Sequence, residues 1–280
     1  MELADIDGPT DAWAASKAFD RVWGRDARAG AVLPGEALVA LTHAGGQVTV
    51  ARRVDDPDGE VVGATAGFLG RDHATGQPFV HSHVTGVLAE AAGGGIGRAL
   101  KWYQRWWCLE RGIEQVRWTF DPLVRRNAVF NLLGLGAQAV AYEQDVYGAM
   151  ADAVNAGLPT DRLLVVWDLT SPRARAAAEG RGAAPDLDGL RHAGAETWLT
   201  VGDDDHPQLT PTHASRRLVQ IPPDIERLRQ RDRTAAAAWA DAIHATLGAA
   251  VTGGERITGV TRDGWYVLAR PAGVTELADR

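Results

Sequence analysis

A glycine-rich segment is the most distinctive chemical feature of this 280-residue sequence. Between Gly93 and Gly97 every residue but one is glycine, and the segment lies between a strand-like run and a helix-like run. Without a Cβ atom the backbone can approach an anion closely. The free N–H groups of a first helical turn also bind phosphate, with help from the helix dipole. The segment therefore predicts a phosphate-binding loop.

Two common types of phosphate loop do not fit this segment. The dinucleotide-binding fingerprint requires G-x-G-x-x-G, and counting from Gly95 puts Leu100 where the third glycine is needed. The nucleoside-triphosphate loop requires Gly-Lys-Ser/Thr, a sequence that the chain does not contain. The segment therefore indicates a third kind of anion-binding loop.

The stretch Val84–Leu100 resembles the acyl-CoA loop of the GNAT N-acyltransferase superfamily. In that family an Arg/Gln-x-x-Gly-x-Gly/Ala signature follows the fourth strand of an antiparallel meander, and Gly95 and Gly97 match its two glycines. The likeness covers residues 12–169 strongly and 218–268 weakly. A narrower resemblance to bacterial members associated with amino-acid N-acetyl- and N-succinyltransferases is carried by residues 81–84, 118–122, 126–128, 130–131, 135–137 and 157–162.

This resemblance implies a fold, an activity and a set of binding residues. The fold would be α+β with α/β-like stretches: a mixed, mostly antiparallel sheet flanked by helices, with a smaller C-terminal α+β extension. The activity would be that of an enzyme that moves an acetyl or succinyl group from acyl-CoA to the amine of a small molecule, such as an amino acid. Acetyl-CoA or another acyl-CoA would be the cosubstrate. The residues that the resemblance assigns to acyl-CoA binding are Val87, Leu88, Ala89, Ala92, Gly93, Gly94, Gly95, Ile96, Gly97, Arg98, Asn127 and Asn131.

Three positions depart from the family pattern and leave a second interpretation open. Ala92 replaces the Arg or Gln of the signature, and Gly94 replaces a second basic residue. Leu132 stands where the family has a tyrosine that serves as general acid. The alternative is a catalytically degenerate GNAT-fold binding protein, or a repurposed biosynthetic enzyme with weakened CoA binding.

Two histidines are candidates for the general base. His81 and His83 alternate along the predicted fourth strand, and a neutral imidazole near pH 7 can accept a proton from an ammonium group. The alternative is a pair of hydrogen-bonded structural histidines. A zinc site normally has four ligands, so this pair alone predicts no metal.

Tyr147 is a candidate for the general acid that the family pattern lacks at Leu132. It is, with Tyr142, among the nearest tyrosines in the sequence. The alternative is ordinary packing at a strand end. Because a thiolate is a good leaving group, the reaction can also proceed without a dedicated acid.

The elements that must position these residues follow from hydrophobic periodicity and turn signals. Ile96, Leu100, Tyr103 and Trp107 share one helical face and predict a long helix over 96–111, ended by Gly112. The other predicted helices are Asp11–Trp23, capped by Asp11, and Arg125–Leu133. The predicted strands are Ala37–Thr42, Val48–Val54, Val61–Leu69, Phe79–Leu88, Val116–Phe120, Ala137–Tyr142 and Leu163–Leu169.

The composition divides the chain into three parts. Residues 1–170 form the predicted GNAT-like acyl-CoA-binding domain, and residues 171–194 are interpreted as a linker or mobile loop because they are rich in Ala, Arg, Gly and Pro. Residues 195–280 are predicted to form a small α+β lobe. Its predicted elements are strands at 197–201 and 218–221, a helix at 234–247 and a hairpin at 257–268.

Charge and composition limit the partners. A net charge of −7 and a pI near 5.6 argue against nucleic acid and anionic membranes as partners. The single cysteine excludes an intrachain disulfide. No apolar run reaches the ~18 residues of a membrane span, and the N-terminal residues lack signal-peptide character. We therefore expect a cytoplasmic protein whose partner is a small-molecule amine, and a homodimer is left open.

Overall fold

A computed structural model describes residues 1–25, 30–53, 59–148 and 159–270. The chain forms two compact units, Met1–Trp118 and Thr119–Arg280. None of the described helices is both long enough and apolar enough to cross a membrane.

The first unit is a sheet with helices packed on it. Its strands are ordered β1-β2-β3-β4-β5, and all neighbours are antiparallel except β4 and β5, which are parallel. A single 3₁₀ turn over Ala89–Ala91 joins β4 to α3. The elements are β1 (Glu2–Asp5), α1 (Gly8–Val22), α2 (Gly35–His43), β2 (Gln47–Arg52), β3 (Gly63–Arg71), β4 (Pro78–Val87), α3 (Ile96–Leu109) and β5 (Gln115–Phe120), whose last two residues belong to the second unit.

The second unit contains a separate mixed sheet, ordered β11-β12-β10-β8-β9, and the antiparallel pair β6–β7. Helix α4 continues as a π-helix over Val129–Gly134, and α8 continues as a π-helix over His244–Gly248. The elements are α4 (Arg125–Ala128), β6 (Gln138–Glu143), β7 (Arg162–Asp168), α5 (Pro172–Ala178), α6 (Leu187–His192), β8 (Glu196–Val201), β9 (Pro207–Leu209), β10 (Arg216–Gln220), α7 (Ile225–Arg231), α8 (Arg233–Ile243), α9 (Ala249–Thr252), β11 (Arg256–Val260) and β12 (Trp265–Ala269).

Burial on one face explains why the helices of the first unit form. Ala12, Ala15 and Phe19 of α1 are fully buried at spacings of three and four residues, which is the period of one helical face. They pack in one cluster with Leu38 of α2 and Val50 of β2. One core of this unit therefore lies between the first two helices and the sheet, and a second cluster packs Ile96 and Leu100 of α3 against Ala51 of β2.

Several predicted elements are confirmed with small shifts. The α+β class and the mixed, mostly antiparallel pairing are confirmed. Helix α3 begins at Ile96 as predicted, and the predicted C-terminal hairpin is β11–β12.

Other predictions were wrong. Ala37–Thr42 is part of helix α2 instead of a strand, because Leu38 and Leu41 bury one helical face after Pro34. Helix α1 begins at Gly8, and the Asp11 carboxylate accepts a hydrogen bond from the Asp7 N–H instead of capping the helix itself. Strand β1 was missed because it has no buried face of its own and forms by pairing with β2.

The segment 171–194 is partly helical. It contains α5 and α6, which begin at the side-chain caps Ser171 and Asp186, so its interpretation as a loop missed two short helices. The division of the chain at this segment stays a prediction, and the boundary between the compact units falls after Trp118.

Candidate active site

The glycine segment forms an open turn that leads into α3. Gly95 is the N-cap residue, with φ of 77°, and Gly93 has φ of 83°. A Cβ atom built on either residue would meet no heavy atom within 4 Å. Both residues are exposed. The turn is therefore accessible, and its positive φ angles favour glycine.

The backbone amides from Gly93 to Gly97 have no acceptor among the described residues. The Ala92 N–H donates to the Ala89 carbonyl at 3.2 Å, and the Ala99 N–H donates to the Gly95 carbonyl at 2.9 Å. Between them, within the described part of the chain, no hydrogen bond is donated by the N–H groups of Gly93, Gly94, Gly95, Ile96 and Gly97. Such a set at the start of a helix is suited to an anion.

The end of β4 contributes backbone groups beside this turn. The Leu88 N–H already donates to the Val62 carbonyl at 2.9 Å, and the Leu88 side chain is 2% exposed. The Ala89 N–H has no acceptor among the described residues. Of these two neighbouring amides, Ala89 is therefore the one left open to a ligand.

Strand β4 is irregular at His83. Ser82 pairs with Gly67 and Val84 pairs with Ala66, so His83 is an extra residue in β4, a β-bulge. On the other side, β4 pairs with β5 at Val80 and His81, and no later β4 residue pairs with β5 among the described residues. We call this place, from Ser82 to Val87 beside β5, the β4–β5 opening.

Both candidate bases lie at this bulge. The ring centroids of His81 and His83 are 6.2 Å apart, and those of His83 and Phe68 are 5.5 Å apart in a T-shaped arrangement. Burial, then the nearby His83 and Lys101, lower the pKa of His81. Partial burial lowers the pKa of His83, although its side chain remains exposed. Both imidazoles are therefore neutral near pH 7 and can accept a proton.

Sequence reasoning missed Lys101, which lies directly behind Ser82. Its side chain is 4% exposed, and its Nζ donates to Ser82 Oγ at 2.8 Å and to Gln104 Oε1 at 2.9 Å. The Nζ also lies 4.1 Å from the centre of the Trp118 ring. Burial lowers the pKa of Lys101 to about 7. The signal in the sequence was its spacing, since Lys101, Gln104 and Cys108 share one buried face of α3.

The remaining predicted residues belong to the second unit. Asn127 is half-buried in α4, and Asn131 is 5% exposed in the π-helix. Tyr147 is 53% exposed, and its hydroxyl is 3.5 Å from Thr119 Oγ1. Tyr142 instead donates to Asp161 Oδ2 at 2.6 Å, and burial raises its pKa. Tyr147 is therefore the better of the two candidate acids, and all of these roles stay predictions.

No protein-family model matches the chain, and a search of curated proteins finds no match. The chain is similar to solved structures of three acetyltransferases. That from Salmonella typhimurium, solved with acetyl-CoA, is 17% identical, covers 67% of this chain and 98% of its own, and has a TM-score of 0.48. The GNAT-family enzyme from Streptococcus pneumoniae is 16% identical, with 59% and 98% covered and a TM-score of 0.45. The GNAT-family protein from Desulfovibrio desulfuricans is 18% identical, with 60% and 99% covered and a TM-score of 0.43. Because these values are low, the function proposed below depends on the chain's own residues.

Proposed function

We propose that this chain is a GNAT-type N-acyltransferase that moves an acetyl or succinyl group from acyl-CoA to the amine of a small molecule, such as an amino acid. The observation that carries the proposal is the set of N–H groups without acceptors from Gly93 to Gly97, at the start of the 14-residue helix α3. A bulged strand that stops pairing with its neighbour precedes this turn.

The residues present suit the diphosphate of CoA. The amides of the turn would bind its oxygens, and the absence of Cβ atoms at Gly93 and Gly95 leaves room for close approach. Arg98, in the first turn of α3, is the nearest basic residue in the sequence. Ala89 at the end of β4 would bind the pantetheine arm. Asn127 and Asn131 keep the acyl-CoA-binding role that the sequence predicts for them. Val87 and Leu88, which precede Ala89 in the chain, would line the start of the pantetheine-binding site.

We assign removal of the proton from the acceptor amine to the histidines at the β4 bulge. When bound, acyl-CoA supplies an activated thioester. His83, exposed and neutral near pH 7, would accept a proton from the ammonium of the acceptor, and His81 would assist or replace it. Tyr147 is a candidate proton donor to the thiolate, a step that can also use another donor because a thiolate is a good leaving group. We place the enzyme in the cytoplasm, where the single buried Cys108 stays reduced.

The glycine turn can be tested with a matched pair of variants. Gly95→Val places a β-branched residue at φ of 77°, and Gly112→Val does the same at φ of 68° at the other end of α3. Both glycines have open space around them, so the strain in the two variants is alike. Calorimetry with CoA should show at least a roughly tenfold weaker Kd for Gly95→Val only. Equal binding by the two variants would contradict the proposal.

A second candidate function is a binding protein without turnover. Ala92 and Leu132, which replace the family's basic residue and tyrosine, favour it. Assays with acetyl-CoA and succinyl-CoA against a panel of amino acids separate the two functions. CoA binding with no turnover for any pair supports the binding protein, and turnover that falls in His83→Gln supports the enzyme.

A further inference from the structure

Lys101 is a buried amine whose partners carry no negative charge. Its Nζ contacts are the Ser82 hydroxyl, the Gln104 carbonyl and the Trp118 ring, and no carboxylate forms an ion pair with it in the described chain. A lysine this deeply buried is normally paired or neutral. The chain contains one other lysine, Lys17, which is exposed on α1.

The surroundings of Lys101 accept both protonation states. As an ammonium it donates to Ser82 Oγ and Gln104 Oε1, and its third N–H can face the Trp118 ring, which attracts a cation. As a neutral amine it accepts from the Ser82 O–H and still donates to Gln104. The pKa of about 7 agrees with this geometry, because the amine has partners at Ser82 and Gln104 in both states.

A chain of oriented hydrogen bonds fixes the Gln104 carbonyl toward Lys101. The Gln104 amide donates to Gln47 Oε1 at 2.9 Å, Gln47 donates to Thr49 Oγ1 at 3.0 Å, and Thr49 donates to Asp5 Oδ1 at 2.8 Å. Every donor in this chain points away from Lys101. The amide carbonyl of Gln104 is a poor proton carrier, so a proton that enters or leaves Lys101 passes through the Ser82 hydroxyl.

Ser82, which is 5% exposed, connects this amine to the strand position where the β4–β5 opening begins. It is the residue before the bulge at His83 and follows His81, the last β4 residue that pairs with β5. Trp118, which covers the other side of the amine, is on β5. Lys101 therefore lies behind the place where the two strands stop pairing.

We infer that Lys101 holds and returns a proton for acyl transfer, with the Ser82 hydroxyl as the carrier between Lys101 Nζ and the β4–β5 opening. The inference rests on the proposed function. It assigns Lys101 as a positioning residue that acts through Ser82.

The proton balance of acyl transfer requires a group that accepts a proton and later returns it, which is the role inferred for Lys101. An ammonium acceptor has two protons that the amide product lacks. One passes to the imidazole at the bulge and on to water. The other passes to Ser82 Oγ as the Ser82 proton passes to Lys101 Nζ, and the reverse exchange protonates the sulfur when the C–S bond breaks. The C–N bond forms, the C–S bond breaks, and Lys101 and Ser82 return to their first state.

The other titratable groups around Lys101 do not compete for this proton near pH 7. His81 on β4 interacts electrostatically with Lys101 and has a lowered pKa, and burial lowers the pKa of the nearby His83. Cys108 faces it from its own helix, and burial raises the pKa of that thiol to about 12. Asp5 on β1 is connected to Lys101 only through Thr49, Gln47 and Gln104. Lys101 is thus the group here whose charge changes near neutral pH.

The two-lysine composition allows a direct test without turnover. Protein labelled with ¹³C at lysine Cε gives one NMR signal from Lys17 and one from Lys101, assigned with Lys17→Arg. In the free protein, Lys101 should titrate near pH 7, roughly three pH units below the ordinary value for a lysine side chain. Saturating CoA should then move the Lys101 midpoint by about half a unit or more and leave Lys17 unchanged. A Lys101 signal that titrates at the ordinary pH for lysine would overturn the inference.

Calorimetry with CoA distinguishes a failure of this inference from a failure of the proposed function. If CoA binds and the Lys101 midpoint does not move, this inference fails and the proposed function stands. If no CoA binds, both fail.

Turnover gives a second readout. Lys101→Met should lower kcat about 100-fold and remove the limb of the pH profile near 7, with KM for acyl-CoA unchanged. Ser82→Ala should remove the same limb. Lys101→Arg, which stays charged, should not restore it, and Lys17→Met should match the wild type. Restoration by arginine would show that only the positive charge matters and would overturn the proton exchange.

Discussion

Buried basic side chains have different kinds of partner in the two compact units of this protein. In the second unit, buried arginines are paired with carboxylates: Arg229 with Asp121 at 2.7 Å, and Arg217 with Glu255. In the first unit, the buried Lys101 is held by a hydroxyl, an amide carbonyl and an aromatic ring. A paired charge keeps its state over a wide pH range, while an unpaired buried amine can lose its proton near pH 7. The first unit therefore contains a buried group, Lys101, whose charge can change near pH 7.

The helix N-termini of the two units show the same contrast. In the second unit, side-chain oxygens of Ser171, Asp186, Asp224 and Asp232 accept N–H groups at the starts of α5 to α8. At the start of α3 no side chain caps the helix. Capped amides stabilise their own helix, whereas the amides from Gly93 to Gly97 donate no hydrogen bond within the described residues.

The largest effect that we expect is the pH dependence contributed by Lys101. Its pKa is about 7 in the folded protein and 10.5 in a model compound. Between these values the unfolded chain holds a proton that the folded chain has released, so the free energy of unfolding rises with pH by about 1.4 kcal/mol per unit. Below pH 7 the contribution is constant.

Urea unfolding of wild type and Lys101→Met from pH 6 to 10 measures this contribution. The difference in free energy of unfolding should grow in favour of the wild type above pH 7, by up to roughly 4 kcal/mol. Lys17→Met is the matched control and should give a flat difference. A flat difference for Lys101→Met would place the Lys101 pKa near its ordinary value and remove the contrast between the units.

The next effect concerns a buried pair of the second unit. Asp121→Asn keeps the shape of the side chain and leaves Arg229 without its carboxylate, which should lower the free energy of unfolding by about 3 kcal/mol. Glu226→Gln makes the same chemical change in the exposed pair with Arg126, where about 0.5 kcal/mol or less is expected. Similar losses in the two variants would mean that burial does not decide the strength of these pairs.

The smallest effect concerns the glycine turn. Ala92 is exposed at the start of this turn, and Ala92→Arg adds the basic residue that the family signature has there. A charge-assisted hydrogen bond to the diphosphate should strengthen CoA binding about tenfold in calorimetry. Ala74→Arg adds the same charge at another exposed position of the unit. An equal gain in the two variants would indicate general charge attraction instead of a contact in the turn.

The elements that carried a complete local signal were predictable. Helix α3 has apolar residues at helical spacing after a glycine turn, and β11–β12 has two β-compatible runs around Arg262-Asp263-Gly264. The open glycine turn was predicted as well, because glycine at positive φ needs no tertiary contact.

Elements whose burial depends on distant partners were not predictable. The run Ala37–Thr42 is apolar enough for a strand, and packing against α1 decides that it is helical. The bulge at His83 depends on its register with β3. The role of Lys101 depends on Ser82 and Trp118, which are 19 and 17 positions away in the sequence.

By itself, the sequence determined where the chain can turn, where a helix can begin and where backbone amides can be left open, since these follow from residue types at short spacing. Only the tertiary structure decided which side chains lose contact with water. Desolvation depends on every neighbour at once, so the charge state of Lys101 and the partners of the buried arginines appear only when the strands and helices are packed.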